Sequence, residues 1–299
     1  MITPAYLKKG DQVAIVSPAR SITFEEVHPA IRFFGRNGLE AVLGNYVFSR
    51  HRQFAGTDEQ RSRDFQSMLD HPDIRAIVCS RGGYGTVRIL DRLDFTAFCE
   101  NPKWIVGYSD VTVLHSHIHR RFGIETLHAP MPVNIKGDQP DDSLQTMINA
   151  LFGKRIAYTV PRAPLSREGR AEGILTGGNL SVLYSLMGTP SEIDTDGKIL
   201  FIEDLDEYLY HIDRMMMNLK RAGKLAKLKG LIVGGMTKMN DNTIPYGMTA
   251  QEIVADAVAG YPYPVCFDFP AGHLDTNLAL ILGRKVKLTV GPQVQLSFY

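Results

Sequence analysis

The sequence predicts an α/β protein: a parallel sheet with helices on both faces, followed by a second domain of mixed strands and helices. Three observations carry this. Short apolar, β-branched runs alternate with amphipathic stretches through the first half. Between Lys136 and Arg170 the rhythm breaks, with Gly137, Pro140, Pro161 and Pro164 among polar residues. Strands and helices then resume, ending in two strands around Gly291-Pro292. The division expected is a first domain over 1–140, a linker over 141–168 that follows or includes a short helix at Leu144 to Phe152, and a second domain over 169–299.

Each element has its own justification. Val13 to Ser17 is a buried strand stopped by Pro18. Phe24 to Asn37 is a helix with Thr23 as N-cap and Gly38 just past its end. Glu40 to Leu43 is the next strand, and Asp58 to Asp70 is a polar helix with Phe65, Met68 and Leu69 on one face. Strands follow at Ala76 to Cys79 and Trp104 to Val106, with a helix at Gly85 to Leu93 between them and another at Val111 to Phe122 after them. In the second half, strands fall at Gly173 to Leu175, Lys198 to Ile202, Gly230 to Gly234 and Pro264 to Asp268, and a hairpin at Lys285 to Val290 and Gln293 to Phe298. Helices fall at Asn179 to Leu186, Tyr210 to Ala222 and Thr249 to Val258.

Composition narrows the function classes. The 299 residues are 44% hydrophobic and 22% charged, which excludes a disordered chain, a coiled coil or a collagen-like repeat. Lys plus Arg number 33 against 32 Asp plus Glu, so the basic excess of a nucleic-acid binder is missing. The three cysteines, Cys79, Cys99 and Cys266, form no CxxC pair, and no metal site is expected. No stretch approaches the ~20 apolar residues of a membrane helix. The apolar run Val13 to Val16 is far shorter than the h-region of about 7–15 residues in a secretory signal. The expectation is a cytoplasmic protein without membrane or nucleic-acid partners.

Four motifs carry candidate chemistry. Trp104-Ile105-Val106-Gly107-Tyr108-Ser109-Asp110 runs from a strand into a helix with a serine at the turn. Such a turn exposes the hydroxyl beside unpaired N–H groups that can hold an oxyanion. Equally, Ser109 or Asp110 could be a plain N-cap. Val111 replaces the second glycine of the hydrolase elbow G-x-S-x-G, which puts a standard elbow in doubt. Ser80-Arg81-Gly82-Gly83-Tyr84-Gly85 also follows a strand and fits either a backbone loop that approaches a ligand or a simple tight turn. It matches neither the Walker nor the dinucleotide pattern. Glu203 and Asp204 end an apolar strand, where a carboxylate can orient a histidine. Asp206, Glu207 and Asp213 read as solvated loop acids. His273, in Pro270-Ala271-Gly272-His273-Leu274, is a candidate general base. His115, His117 and His119 are read as surface or packing residues, since no acid completes a metal site with them.

Taken together, these motifs resemble the serine LD-carboxypeptidases that act on muramoyl tetrapeptides, a family that includes microcin-immunity peptidases. The resemblance covers nearly the whole chain. It runs from Gly10 to Pro18 through Ser80 to Gly85, Gly107 to Asp110, Gly177-Gly178-Asn179-Leu180, Ile202-Glu203-Asp204, Ile212-Asp213-Arg214 and Gly272-His273. It implies a Rossmann-like N-terminal domain, a C-terminal α/β domain and an active site between them. It also implies Ser109 as nucleophile, His273 as general base, Glu203 as the acid that orients it, and an oxyanion hole from the N–H of Asp110 and of Gly83 or Gly82. No cofactor is implied. The partners implied are a murein peptide and a second copy of the chain in a homodimer. Arg81 is the candidate for the substrate's free carboxylate, with Tyr84 beside it. Gly169 to Gly173 and Leu186 to Pro190 favour the carboxypeptidase branch. The alternatives are an immunity peptidase that cleaves a peptidyl-aminoacyl-nucleotide, or a silent ligand-binding protein. Leu274 stands where the family commonly has glycine, so that wall of the site is expected to differ.

Overall fold

The computed structural model describes residues 1–137 and 141–299; Pro140, one of the residues marking the expected boundary, lies outside them. The first sheet takes β1 (Gln12–Val16), β2 (Glu40–Leu43), β3 (Ile74–Cys79), β4 (Trp104–Gly107) and β5 (Thr126–His128), all paired in parallel. The helices among them are α1 (Phe24–Arg36), α2 (Asp58–Asp70), α3 (Thr86–Leu90), α4 (Thr96–Glu100) and α5 (Thr112–Phe122). The chain continues through α6 (Asp142–Leu151), β6 (Ala157–Pro161), β7 (Gly169–Asn179), α7 (Leu180–Ser185), β8 (Ile199–Leu205) and α8 (Leu209–Arg221). It ends with β9 (Gly230–Thr237), α9 (Ala250–Ala257), β10 (Val265–Cys266), β11 (Leu280–Leu282), β12 (Lys285–Val290) and β13 (Gln293–Phe298).

The two sheets run β11-β5-β4-β3-β1-β2 and β10-β9-β8-β7-β12-β13-β6. In the first, alternate residues of each strand enter opposite cores, as a sheet covered on both faces requires. Val13, Ile15, Ala76, Val78, Trp104 and Val106 join Val27, Ala30 and Phe34 of α1. Ala14, Val16, Ile77, Cys79 and Ile105 join Phe65 and Leu69 of α2 and Leu114 and Ile118 of α5. The α1 core extends into the second half of the chain and takes Leu175, Ile199, Phe201 and Ile232 from the other sheet. Leu200, Ile202, Leu231 and Val233 face a separate core under α8 and α9. Capping boxes at Thr23, Thr57 and Thr249 start α1, α2 and α9.

Three strands depart from the sequence reading. β6 falls inside the stretch expected to be a linker and pairs with β13 at the sheet edge. Its Tyr158 and Val160 alternate inward against exposed Ala157, Thr159 and Pro161, and Pro161 is tolerated at an edge. β5 is only three residues long. β11, from the second half, adds to β5 as an antiparallel edge of the first sheet, so the first sheet is not built from the first half alone. Among the described residues, no helix is long and apolar enough to cross a membrane.

Because Phe201 is fully buried in the core shared by both sheets, Phe201→Ala should lower the unfolding free energy by about 3–5 kcal/mol. Urea denaturation measures this. A loss below about 1 kcal/mol would contradict a continuous core.

Candidate active site

The parallel strands β1, β3 and β4 end on one edge of the first sheet. Strand order reverses beside β1, which pairs with β2 on one side and β3 on the other. Such a switch point leaves a crevice at the carboxyl ends of the strands. The loops there form one wall of a cleft of about 490 Å³. Ser17 and Ser80, at the ends of β1 and β3, share a hydrogen bond of 2.6 Å. The buried Arg61 binds the carbonyls of Pro18 and Gly85, so one guanidinium holds both loops. Ser109, Arg20, Arg81, Gly83, Asp206 and His273 all line the cleft.

Ser109 sits at φ +63, in the left-handed region, and opens a single 3-10 turn that leads into α5. A non-glycine residue held there costs of order 1–3 kcal/mol and marks a sharp, enforced turn. Two glycines make the room. A Cβ at Gly82 would lie 2.9 Å from Ser109 Cβ and 3.0 Å from its Oγ; a Cβ at Gly107 would lie 2.8 Å from Val111. The doubt raised by Val111 is thereby answered: the bare Gly107 accommodates its side chain, and the strand–serine–helix elbow forms. Asp110 is buried, and its Oδ2 accepts the Thr86 N–H at 2.8 Å, joining the elbow to the start of α3. Below it, His115 Nε2–H donates to the Gly107 carbonyl at 2.9 Å. Among the described residues, Gly82 and Gly83 donate their N–H groups to no other group.

The opposite wall comes from the second sheet. The register of β8 on β9 shifts opposite Glu203: the two steps from Ile202 to Asp204 on β8 face three from Val233 to Met236 on β9, so the bulge lies in the Gly234-Gly235 stretch of β9. Glu203 is fully buried; its Oε2 accepts His273 Nδ1–H at 2.7 Å and the His273 backbone N–H at 3.2 Å. Gly272 lies over this carboxylate, where a Cβ would fall 2.6 Å from Oε2. Asp204 points elsewhere, accepting from Asn179 Nδ2 at 2.9 Å and from the Ser181 N–H at 2.8 Å. The Tyr108 ring packs 4.8 Å from the imidazole of His273.

With this geometry in view, residues 13–129 match the LD-carboxypeptidase N-terminal domain and residues 172–288 the LD-carboxypeptidase C-terminal domain. The chain belongs to the LD-carboxypeptidase family. It is 36% identical to a probable murein peptide carboxypeptidase of Bacillus subtilis, over 95% of this chain and 91% of the relative. It is 30% identical to a murein tetrapeptide carboxypeptidase of Pseudomonas aeruginosa, over 93% and 92%. The crystal structure of muramoyltetrapeptide carboxypeptidase from Oxalobacter formigenes superposes with a TM-score of 0.87 at 29% identity, over 96% of this chain and 98% of that one. The protein is thus an LD-carboxypeptidase-type hydrolase.

The electrostatics of this LD-carboxypeptidase site separate its histidines. Burial pulls the His273 pKa down, but the Glu203 hydrogen bond and the charges of Glu203 and Asp204 outweigh it, so the net shift is upward. Burial raises Asp204 to about 7, reinforced by the charge of Glu203. His128, buried behind Tyr108, is pushed down to about 3 by burial and stays neutral. His115 and His119 are lowered to about 4 and about 3, again by burial first, and make packing hydrogen bonds to Gly107 and Thr126. Their expected packing role accounts for all these contacts.

Of the remaining expectations, Tyr84 lines the cleft and is half exposed. Arg81 lines it too, but its Nη1 donates to the Ser21 carbonyl and faces Glu26. Leu274 packs on Gly235, where a Cβ would meet its Cγ at 2.7 Å, so its bulk is taken up by a glycine on β9. Glu207 binds His211 at 2.6 Å, in keeping with a role away from the chemistry. Asp206 is an exposed loop acid, as expected, and it also lines the cleft, at φ +60 with its Oδ1 held by Asn240. Arg20 was not singled out at all. The signal was available, since Pro18-Ala19-Arg20 leaves the carboxyl end of the first parallel strand.

The His273 shift has a testable sign. By NMR titration, His273 should titrate above 6.5, the ordinary histidine value. In Glu203→Gln it should fall below the wild-type value, because burial then acts with one carboxylate fewer to oppose it. An unchanged titration would contradict the pair as described.

Proposed function

We propose that the protein is a serine carboxypeptidase that cleaves the L,D-peptide bond releasing the terminal D-alanine of murein tetrapeptides. The observation that carries this reading is a strained serine elbow from one half of the chain and a Glu-held histidine from the other, lining a single cleft. The murein substrate is supported by the relatives named above.

In the proposed mechanism Glu203 holds His273 in the tautomer with hydrogen on Nδ1, leaving Nε2 to act as base. Nε2 takes the Ser109 proton as Oγ attacks the carbonyl carbon of the L-configured residue. The N–H groups of Asp110 and of Gly83 or Gly82 receive the oxyanion; losing one such donor typically costs about 2.7–4 kcal/mol of barrier. The C–N bond breaks, and His273 returns the proton to the departing amine of D-alanine. Water, deprotonated by His273, then hydrolyses the acyl ester and regenerates Ser109. Arg81 and Tyr84 border the bound peptide. The proposed setting is the cytoplasm, in the recycling of murein peptides, with the enzyme as a homodimer.

Mass spectrometry of a free tetrapeptide ending in D-alanine tests this. Wild type should remove one alanine, and Ser109→Ala should leave the peptide intact. Equal loss with both proteins, or with neither, contradicts the proposal.

A further inference from the structure

We infer that Arg20 grips the free carboxylate of the substrate's terminal residue, and that Arg81 is a positioning residue for it. This inference rests on the peptidase reading above and gives its specificity for a chain end a structural source. An enzyme that removes only the last residue must recognise a negative charge close to the scissile carbon. The terminal carboxylate carbon is only three bonds away, about 3–4 Å. The cationic group must therefore border the nucleophile itself.

Arg20 meets that requirement. Its side chain lies across Gly83: a Cβ there would fall 2.2 Å from Arg20 Cδ, 2.6 Å from Cγ and 3.3 Å from Nε. Gly83, at φ +108, is thus the one residue type that lets the arginine stem cross the loop. The neighbouring Gly82 is the residue whose bare α-carbon faces Ser109. The stem therefore crosses the loop that flanks the nucleophile, in the cleft that Ser109 and His273 also line. Its guanidinium makes no hydrogen bond or ion pair among the described residues and is exposed. A planar, permanently charged fork without a partner is suited to bidentate capture of a carboxylate.

Arg81 is placed differently. Its Nη1 donates to the carbonyl of Ser21 at 3.2 Å and lies 3.5 Å from Glu26 Oε1. Ser21 is the residue after Arg20, and its own N–H is anchored on the Gln53 carbonyl at 3.1 Å. Arg20 itself bridges to Phe54. Arg81 therefore spends its charge within the protein and fixes the backbone from which Arg20 projects. Asp206, on the opposite wall, is the acid among the lining residues of the cleft.

The test compares a murein tetrapeptide with its C-terminal carboxamide, following hydrolysis of the last bond by mass spectrometry. Wild type should prefer the free acid. Arg20→Met should lower kcat/KM for the acid by about 10- to 100-fold and bring the acid-to-amide ratio close to one, and Arg20→Lys should restore part of the preference. Arg81→Met should weaken the preference less than Arg20→Met does, because Arg20 keeps its charge in the cleft. Equal use of acid and amide by wild type, a preference that survives Arg20→Met, or one lost in Arg81→Met while Arg20→Met keeps it, overturns the inference. If wild type cleaves neither peptide, the peptidase reading fails on its own. Calorimetric binding of the same pair to Ser109→Ala protein then decides the matter. An acid preference abolished by adding Arg20→Met sustains the role of Arg20, and no acid preference overturns it.

Discussion

The two halves of the chain meet where Gly178 packs on Thr112, and the candidate site depends on that contact. A Cβ at Gly178 would lie 2.5 Å from Thr112 Oγ1, and the adjacent Asn179 N–H donates to the same oxygen at 3.0 Å. Thr112 opens α5, three residues after Ser109. Asn179 reaches Asp204, next to Glu203. One short path of contacts thus joins the serine elbow to the acid and the histidine. Gly177 admits no side chain at all, since a Cβ there would fall 1.8 Å from the Phe201 carbonyl. Groups from separate sheets must be held within fractions of an ångström to act together. A glycine-mediated approach of backbone to side chain, backed by the shared core, provides that rigidity.

The site also concentrates electrostatic cost. Glu203 is wholly buried, and its Oε1 finds no partner among the described residues. A second carboxyl group, Asp204, follows it directly in the chain. Burying such a pair is expensive unless each acid has its own partners. Successive residues of β8 point to opposite faces, so Glu203 meets His273 while Asp204 meets the start of α7. The result is a histidine whose pKa is raised beside another, His128, kept neutral. Titratable groups driven apart in this way are characteristic of catalytic sites.

Much of the first half was legible because its strands announce themselves. β1, β3 and β4 carry continuous apolar runs, as expected for strands buried on both faces, and Thr23 marks the start of α1 in the sequence alone. β5 and β11 were not legible: three-residue strands carry no period, and their pairing comes from opposite halves of the chain. β6 was hidden by the prolines around it. At the site, residue type nominated Ser109, Glu203 and His273, but chain order says nothing of distance. The left-handed φ of Ser109 depends on a glycine far away in sequence, Gly82, and the Glu203–His273 pair joins residues 70 apart in the chain. Arg20 and Asp206 escaped because a lone charge in a loop reads as solvated until the opposing wall is known.

The central claim is that Ser109 is activated by His273 across the junction of the two sheets. A fluorophosphonate probe, followed by intact mass and peptide mapping, tests this most directly. Wild type should take up a single adduct on Ser109, at a rate that rises with pH as the imidazolium loses its proton. His273→Ala should label at least ~100-fold more slowly. An adduct on another residue, or equal labelling rates in wild type and His273→Ala, would contradict the account.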